Sequence, residues 1–127
     1  MSNNDGMTES PPDLFQQASL EDARGNEGSA IPLYQAALAE GLENEIAQRA
    51  LIQLASSLRN VGRQSEALDL LSRHQFDARY EPSKDAFIAL VHWDMGNTRD
   101  ALQCALAAAG PALGEYRHAI NSYAHDL

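Results

Sequence analysis

The sequence has little cysteine, little positive charge and no long run of apolar residues. Cys104 is the only cysteine among 127 residues, so an intrachain disulfide is impossible and we expect a reducing, cytoplasmic environment. No apolar stretch approaches the ~18 residues that a membrane helix needs, and the N-terminus lacks the basic and apolar regions of a signal peptide. We therefore expect a cytoplasmic protein without a membrane partner.

The shortage of positive charge narrows the range of partners further. Nine Lys and Arg residues face 18 Asp and Glu residues, which gives a formal net charge of -9. Nucleic acids and anionic membranes both require a basic surface, so neither is expected as a partner. Residues 1–45 contain nine of the acids and only one base, Arg24. This acidic segment is typical of a solvated face, with a docking patch for a basic partner as the alternative.

Motifs of catalysis and metal binding are also missing. The sequence contains no HExxH, no glycine-rich phosphate loop and no GxSxG. His118 and His125 are two helical turns apart, but no Cys/His pairing accompanies them or His92, so we predict no metal site. Cys104 stands in an alanine-rich segment, which favours a packed, inert thiol. We expect a non-enzyme without a cofactor.

The sequence is rich in apolar residues that recur at spacings of three and four. This periodicity, with few β-branched residues, predicts an all-α fold. The polar residues 1–11 are predicted to be a disordered leader. Turn and cap residues then separate seven predicted helices, at roughly 12–24, 28–40, 44–60, 65–75, 83–95, 98–109 and 112–125.

Three glycines mark an internal repeat. Gly62 and Gly96 are 34 residues apart, and Gly25 precedes Gly62 by 37, which requires three extra residues in between. Alanines stand seven residues before and five after each glycine: Ala18 and Ala30, Ala55 and Ala67, Ala89 and Ala101. Small residues allow two helices to cross closely, so each glycine is predicted to be the turn of a helical hairpin and its alanines the points of contact.

This 34-residue helix–turn–helix resembles the tetratricopeptide repeat (TPR) over residues 13–109. The stretches LYQAALAEGL, LASSLRNVGRQSEAL and EYRHAINSYAHDL also resemble a small stand-alone bacterial group of that superfamily, whose functions are largely unassigned. The resemblance implies a right-handed α-α superhelix of about three hairpins plus a C-terminal capping helix. It implies one domain at 12–127, with repeats at about 12–41, 44–76 and 83–109 and a closing helix at 112–125.

The resemblance also implies a non-catalytic scaffold that binds a protein or peptide in a concave groove. A mixed basic and apolar groove would suit an extended or helical peptide that carries an acid and an apolar anchor. The positions implied to face the groove are Phe15, Ser19, Arg49, Ile52, Ser56, Arg59, Ala86, Leu90 and Trp93. Some TPR domains instead clamp a C-terminal carboxylate, but the matching positions, Phe15, Ser19, Gln53, Ser83 and Phe87, include no cation, so we reject that specificity.

The predicted helix at 83–95 has apolar residues around its whole circumference. One interpretation is burial on all sides, between the preceding hairpin and the closing helix. The alternative is that Leu90 and Trp93 form an exposed anchor for a partner or for a second copy of the chain. The second function hypothesis follows from that alternative: a structural or regulatory protein that forms homo-oligomers through its apolar third repeat.

Overall fold

The computed structural model describes residues 9–127, and this part of the chain is all α, without a strand. The predicted all-α helical-repeat fold is confirmed. Of the predicted leader, residues 1–8 lie outside the described part, and Pro11 already belongs to a helix. The seven α-helices are α1 (Pro11–Ala23), α2 (Glu27–Glu40), α3 (Asn44–Asn60), α4 (Gln64–Ser72), α5 (Glu81–Asp94), α6 (Thr98–Ala109) and α7 (Arg117–His125).

The start of α1 follows from three consecutive residues. Ser10 has an extended backbone, and its hydroxyl accepts a hydrogen bond from the Asp13 N–H at 3.3 Å. Pro11 and Pro12 occupy the first turn, where the missing N–H groups leave no helical hydrogen bond unmade. The carboxylate of Asp13 in the same turn complements the positive end of the helix dipole.

The chain divides into two compact units, which meet in sequence at Val61 and Gly62. In the N-terminal unit, α2 packs against both α1 and α3. In the C-terminal unit, α5 packs against α4 and α6, and α6 packs against α7. The expectations of a single domain at 12–127 and of a superhelix stay predictions. No helix within residues 9–127 is long and apolar enough to cross a membrane.

The repeated glycines lie just after the ends of helices, as predicted. Gly25, Gly62 and Gly96 all have left-handed backbones, with φ of 79°, 84° and 81°. After α1, the Asn26 N–H donates to the Glu21 carbonyl, and after α5 the Asn97 N–H donates to the His92 carbonyl, with both N···O distances near 2.8–2.9 Å. These bonds, five residues back along the chain, form a Schellman motif that satisfies the last free carbonyls of each helix.

Alanines lie where the helices of a hairpin meet. Ala18 of α1 and Ala30 of α2 are completely buried in the first hairpin, and Ala89 and Ala101 are buried in the α5–α6 hairpin. Ala55 and Ala67, the equivalent pair around Gly62, are also buried. A larger side chain at Ala18, Ala30, Ala89 or Ala101 would push the two helices of that hairpin apart. In the α1–α2 and α5–α6 hairpins the alanines are thus buried where contact points were predicted, whereas the contact predicted between Ala55 and Ala67 stays a prediction.

Two predicted helix boundaries are wrong. α4 ends at Ser72 rather than near 75. The imidazole Nδ1 of His74 lies 2.8 Å from the Leu70 carbonyl oxygen and bonds it in place of a further helical N–H. The closing helix begins at Arg117 rather than 112. Gly110–Ala112 and Gly114–Tyr116 form two short 3₁₀ turns instead, and the positive φ of 58° at Gly114 interrupts the α-helical geometry between them.

Candidate functional site

An open apolar groove runs between α5 and α6 in the C-terminal unit. Its volume is about 650 Å³. None of the side chains that line it is charged, and the only hydrogen-bonding groups among them are the Thr98 hydroxyl and the Trp93 indole N–H. The lining consists of Ala86, Ala89, Leu90 and Trp93 from α5 and of Thr98, Ala101, Leu102, Ala105 and Ala108 from α6.

The spacing of the lining residues explains how two helices form this groove. On α5 the sequence positions are separated by three, one and three residues, and α6 repeats the same steps from Thr98 to Ala105. Such steps place side chains on one face of a helix, one turn above another. Because the Gly96 turn folds α6 back along α5, the two faces lie side by side. Among the lining residues, Ala89 and Ala101 are buried, whereas the large apolar residues Leu90, Trp93 and Leu102 are exposed.

The large residues of this groove are exposed to solvent. The exposed fraction is 63% for Trp93, 42% for Leu90 and 48% for Leu102. The interpretation that the helix at 83–95 is buried on all sides is therefore wrong. Leu90 and Trp93 are exposed, and their role as an anchor for a partner stays a prediction. Clustered large apolar side chains on a protein surface are typical of a protein-docking site.

The packing of the closing helix explains why Trp93 is not covered. The side-chain amide of Gln103 donates to the Ala124 carbonyl at 2.9 Å, and this bond fixes α7 against α6. Gln103 follows Ala101 by two residues, a rotation of about 200° around the helix axis, so α7 lies away from the groove side of α6. On α5, Val91 is buried and follows Ala89 by the same step. Neighbouring helices thus cover the other sides of the hairpin and leave the groove open.

A second hollow lies beside α7 and differs from the groove in its chemistry. Its volume is about 440 Å³, and its lining includes the charged side chains of Asp85 and Arg117. Asp85 also pairs with Lys84 at 3.1 Å on the same helix. This mixed-charge hollow offers no cluster of large apolar residues. The α5–α6 groove is therefore the stronger candidate for docking an apolar anchor.

Six of the nine predicted groove residues belong to the N-terminal unit. There the structure brings two of them together: the guanidinium of Arg49 lies over the ring of Phe15, 5.7 Å from its centre. Phe15 is half-buried and also contacts the ring of Tyr34, with a centroid separation of 6.1 Å. Arg49 is exposed, so the pair presents the guanidinium of Arg49 to solvent above the Phe15 ring.

The remaining N-terminal positions are less open than predicted. Ile52 is buried, and Ser56 and Arg59 are half-buried. The hydroxyl of Ser19 donates to the side-chain oxygen of Gln53 at 3.1 Å. Ser19 thus has an internal partner, and Ile52 contributes to the core.

Gln53 connects Ser19 to a buried tyrosine. The Tyr34 hydroxyl lies 2.8 Å from the same Gln53 oxygen and 3.0 Å from a carboxylate oxygen of Asp22, and its one proton is donated to either acceptor. Burial raises the pKa of the Tyr34 phenol, and the neighbouring Asp22 carboxylate adds to that rise. The sequence analysis did not predict this cluster, because its members come from three helices and are 12 to 34 residues apart.

Cys104 and the histidines form no recognisable reactive site. Burial raises the pKa of the Cys104 thiol, and the carboxylates of Asp85 and Asp100 raise it further. A raised pKa lowers the fraction of nucleophilic thiolate. Among residues 9–127, no three His, Cys, Asp or Glu side chains lie together in a way that could hold a metal ion.

Comparisons with known proteins give a family but no individual relative. No curated protein and no solved structure matches the chain. The family model described as Tetratrico peptide repeat matches residues 11–127, which is nearly the whole described part. The match includes both helical hairpins with Schellman turns and the closing helix. The chain therefore belongs to the tetratricopeptide repeat family.

Proposed function

We propose that this protein is a non-catalytic scaffold that binds a segment of another protein. One observation carries the proposal: a folded helical repeat leaves an apolar groove open, with Leu90 and Trp93 exposed inside it. Burying such surface against a partner releases about 25 cal/mol for each Å² of apolar area. The membership of the TPR family supports a role in protein–protein interaction.

The predicted partner-binding residues divide between the two units, and we propose each group as a contact surface in its own right. In the C-terminal unit, three of them lie together in the α5–α6 groove: Ala86, Leu90 and Trp93. In the N-terminal unit, Arg49 above Phe15 supplies a cation for an acidic group of the partner. Of the other predicted contacts there, the half-buried Ser19, Ser56 and Arg59 are proposed as further contacts, whereas Ile52 belongs to the core.

Three properties of the chain support the proposals that it is not an enzyme, that it does not bind nucleic acid or anionic membranes, and that it acts in the cytoplasm. The raised pKa of Cys104 makes its thiol a poor nucleophile at neutral pH. A net charge of -9 disfavours nucleic acid and anionic membranes as partners. A single cysteine is compatible with the reducing cytoplasm, where we place the protein.

A second candidate function is homo-oligomerisation through the third repeat. The exposed groove favours it, because the groove belongs to α5 and α6, the two helices of that repeat. In this case the protein would act as a structural or regulatory unit built from several copies.

An affinity capture with matched variants tests the scaffold proposal. The wild-type chain and the Leu90→Asp and Leu20→Asp variants are immobilised, and the proteins retained from the native cell are measured by quantitative mass spectrometry. Leu20 is 54% exposed on α1 and is not a predicted contact, so its substitution controls for the loss of an exposed leucine. We expect at least one protein to be lost with Leu90→Asp and kept with Leu20→Asp. If Leu90→Asp retains every protein that the wild type retains, the groove is not the binding site.

A further inference from the structure

We propose that the mixed-charge hollow beside α7 binds a free amino acid, with Arg117 binding its carboxylate and Asp85 binding its ammonium group. Residues of α5, α6 and α7 line this hollow, and they are different residues from those of the α5–α6 groove. The inference therefore goes beyond the proposed function and does not depend on it. The volume of about 440 Å³ lies within the range of about 300–1,000 Å³ that is usual for small-molecule sites.

Arg117 is a cation without a partner inside the chain. Other arginines pair with carboxylates, as Arg63 does with Glu66. Across residues 9–127, by contrast, Arg117 makes neither an ion pair nor a hydrogen bond, although acids outnumber bases twofold in the sequence. Its guanidinium lines the hollow from the first residue of α7, so its N–H donors remain for a ligand. A carboxylate matches the planar fork of these donors with two parallel hydrogen bonds.

The guanidinium of Arg117 rests against a glycine. Gly110 is buried, and a Cβ atom at this position would lie 3.2 Å from Nε and 3.7 Å from Cζ of Arg117. The missing side chain thus leaves the space beside which the guanidinium lies. Gly110 is in this sense a positioning residue for Arg117, since a methyl group there would force the guanidinium to move.

Asp85 places the opposite charge on the α5 side of the hollow. Its carboxylate is half-buried and pairs with Lys84 at 3.1 Å on its own helix. A smaller hollow of about 360 Å³ adjoins along Asp85 and Arg117, and the carboxylate of Glu81 lines it too. Because acids face the cation here, a simple anion would be repelled as well as attracted. A ligand that carries both charges, as an amino acid does, finds an opposite charge for each of its groups.

Polar side chains beside Arg117 complete the site. Asn121 and His125 follow it by four and eight residues, which places all three on one face of α7, and all three line the hollow. The Asn121 amide both donates and accepts hydrogen bonds, so it serves either end of an amino acid. The bond from Gln103 to the Ala124 carbonyl holds α6 and α7 together at this wall. The polar groups are thus in place before a ligand binds, which lowers the cost of binding.

Titration of the full chain, followed by nuclear magnetic resonance, tests the inference. The probes are the common L-amino acids, added one at a time at millimolar concentration, with acetate and methylammonium as probes of each charge alone. We expect an amino acid to move the signals of the Arg117 Nε–H and the Asn121 side-chain amide until they saturate. It should bind about tenfold more tightly than acetate or methylammonium. If no amino acid moves these signals, or if acetate binds as tightly, the inference is overturned.

Charge-removing variants assign the two ends of the ligand. Arg117→Gln should weaken the binding of the amino acid by about tenfold or more, because it removes the charge-assisted pair with the carboxylate. Arg99→Gln is the matched control, since Arg99 is exposed on α6 and does not line the hollow. Asp85→Asn should weaken the amino acid but not acetate. Circular dichroism verifies that each variant is folded. Equal binding by the wild type and Arg117→Gln, or an equal loss in Arg99→Gln, contradicts the assignment.

A glycine substitution tests the placement of the guanidinium. Gly110→Ala keeps Arg117 but puts a methyl group against it. It should move the Arg117 Nε–H signal in the free protein and weaken the amino acid by about threefold or more. Gly28→Ala, at a glycine with open space around it, should do neither. If Gly110→Ala moves the Arg117 signal and binds as the wild type does, the position of the guanidinium does not matter and the proposed site is wrong.

Discussion

Tyr34 combines a fully buried ring with a polar hydroxyl that needs hydrogen-bond partners. Its ring belongs to the core of the N-terminal unit, while its hydroxyl lies within 3.0 Å of oxygens from two other helices, α1 and α3. The sequence predicted no role for this side chain, because its acceptors, Asp22 and Gln53, are 12 and 19 residues away. Only the packing of three helices brings them together.

The first residue-scale prediction concerns Tyr34→Phe. The substitution removes the one proton that Tyr34 donates to Asp22 or Gln53, although Gln53 keeps the Ser19 hydroxyl as a donor, and we expect the free energy of unfolding at neutral pH to fall by about 1 kcal/mol. Chemical denaturation followed by circular dichroism measures it. Tyr123→Phe is the matched control, since Tyr123 is 72% exposed and its substitution should change nothing measurable. Equal effects of the two substitutions would contradict the role of the buried cluster.

The same tyrosine gives a prediction for alkaline pH. Burial raises the pKa of the folded phenol, so the unfolded chain, with an ordinary value of about 10, loses the proton first. The stabilisation is therefore complete below that pH and is lost as the pH rises above it. The free energy of unfolding of the wild type should fall more steeply between pH ~9 and ~11 than that of Tyr34→Phe.

At the scale of elements, the helical hairpins could be predicted because their signals are local. The glycine with a left-handed backbone and the alanine at a helix crossing each recur at a fixed position of the sequence repeat. The surroundings of Trp93 could not be predicted in this way. Its exposure depends on where α7 packs, and α7 begins five residues later than predicted because two 3₁₀ turns precede it. Which side a helix covers is a property of distant residues.

At the scale of elements, we predict that alanine substitutions at two glycines change the stability of the folded chain in opposite directions. A side chain at Gly96 meets no atom within 4 Å, so its only effect is the strain of a left-handed backbone, and Gly96→Ala should destabilise by about 1–2 kcal/mol. Gly28 lies in α2 without a positive φ and also has open space around it. Gly28→Ala should therefore stabilise by up to ~1 kcal/mol. Urea denaturation compares the two, and a loss of stability in both variants would contradict this reading of the turns.

At the scale of the whole molecule, negative charge is the dominant property. Several ion pairs within residues 9–127 are local and exposed, such as Arg63 with Glu66 and Arg73 with Asp69, three and four residues apart. Pairs of this kind contribute typically ~0–1 kcal/mol each, and salt weakens them. The repulsion among the excess acids is screened by the same salt. Because acids outnumber bases twofold, we expect salt to stabilise the folded chain on balance.

Two substitutions in α2 separate this general repulsion from the local effect of the helix dipole. Glu27 lies in the first turn of α2 and Glu40 at its last residue, where no basic side chain is present. Glu27→Lys and Glu40→Lys change the net charge by the same amount. The dipole favours an acid at the N-terminus and a base at the C-terminus, by about 0.3–1 kcal/mol at low ionic strength. Glu40→Lys should therefore be stabilised both by the smaller net negative charge and by the helix dipole. In Glu27→Lys the smaller net charge is stabilising and the dipole is destabilising.

The salt dependence of these two variants completes the argument. At low salt, Glu40→Lys should be more stable than the wild type by about 0.5–1 kcal/mol and more stable than Glu27→Lys by about twice the dipole contribution. Both differences should shrink as potassium chloride is added, because screening acts on the dipole and on the net charge alike. Urea denaturation at low and high salt measures the differences. If the two variants are equally stable at low salt, the position of the charge along α2 has no effect, and the change in net charge alone accounts for their stability.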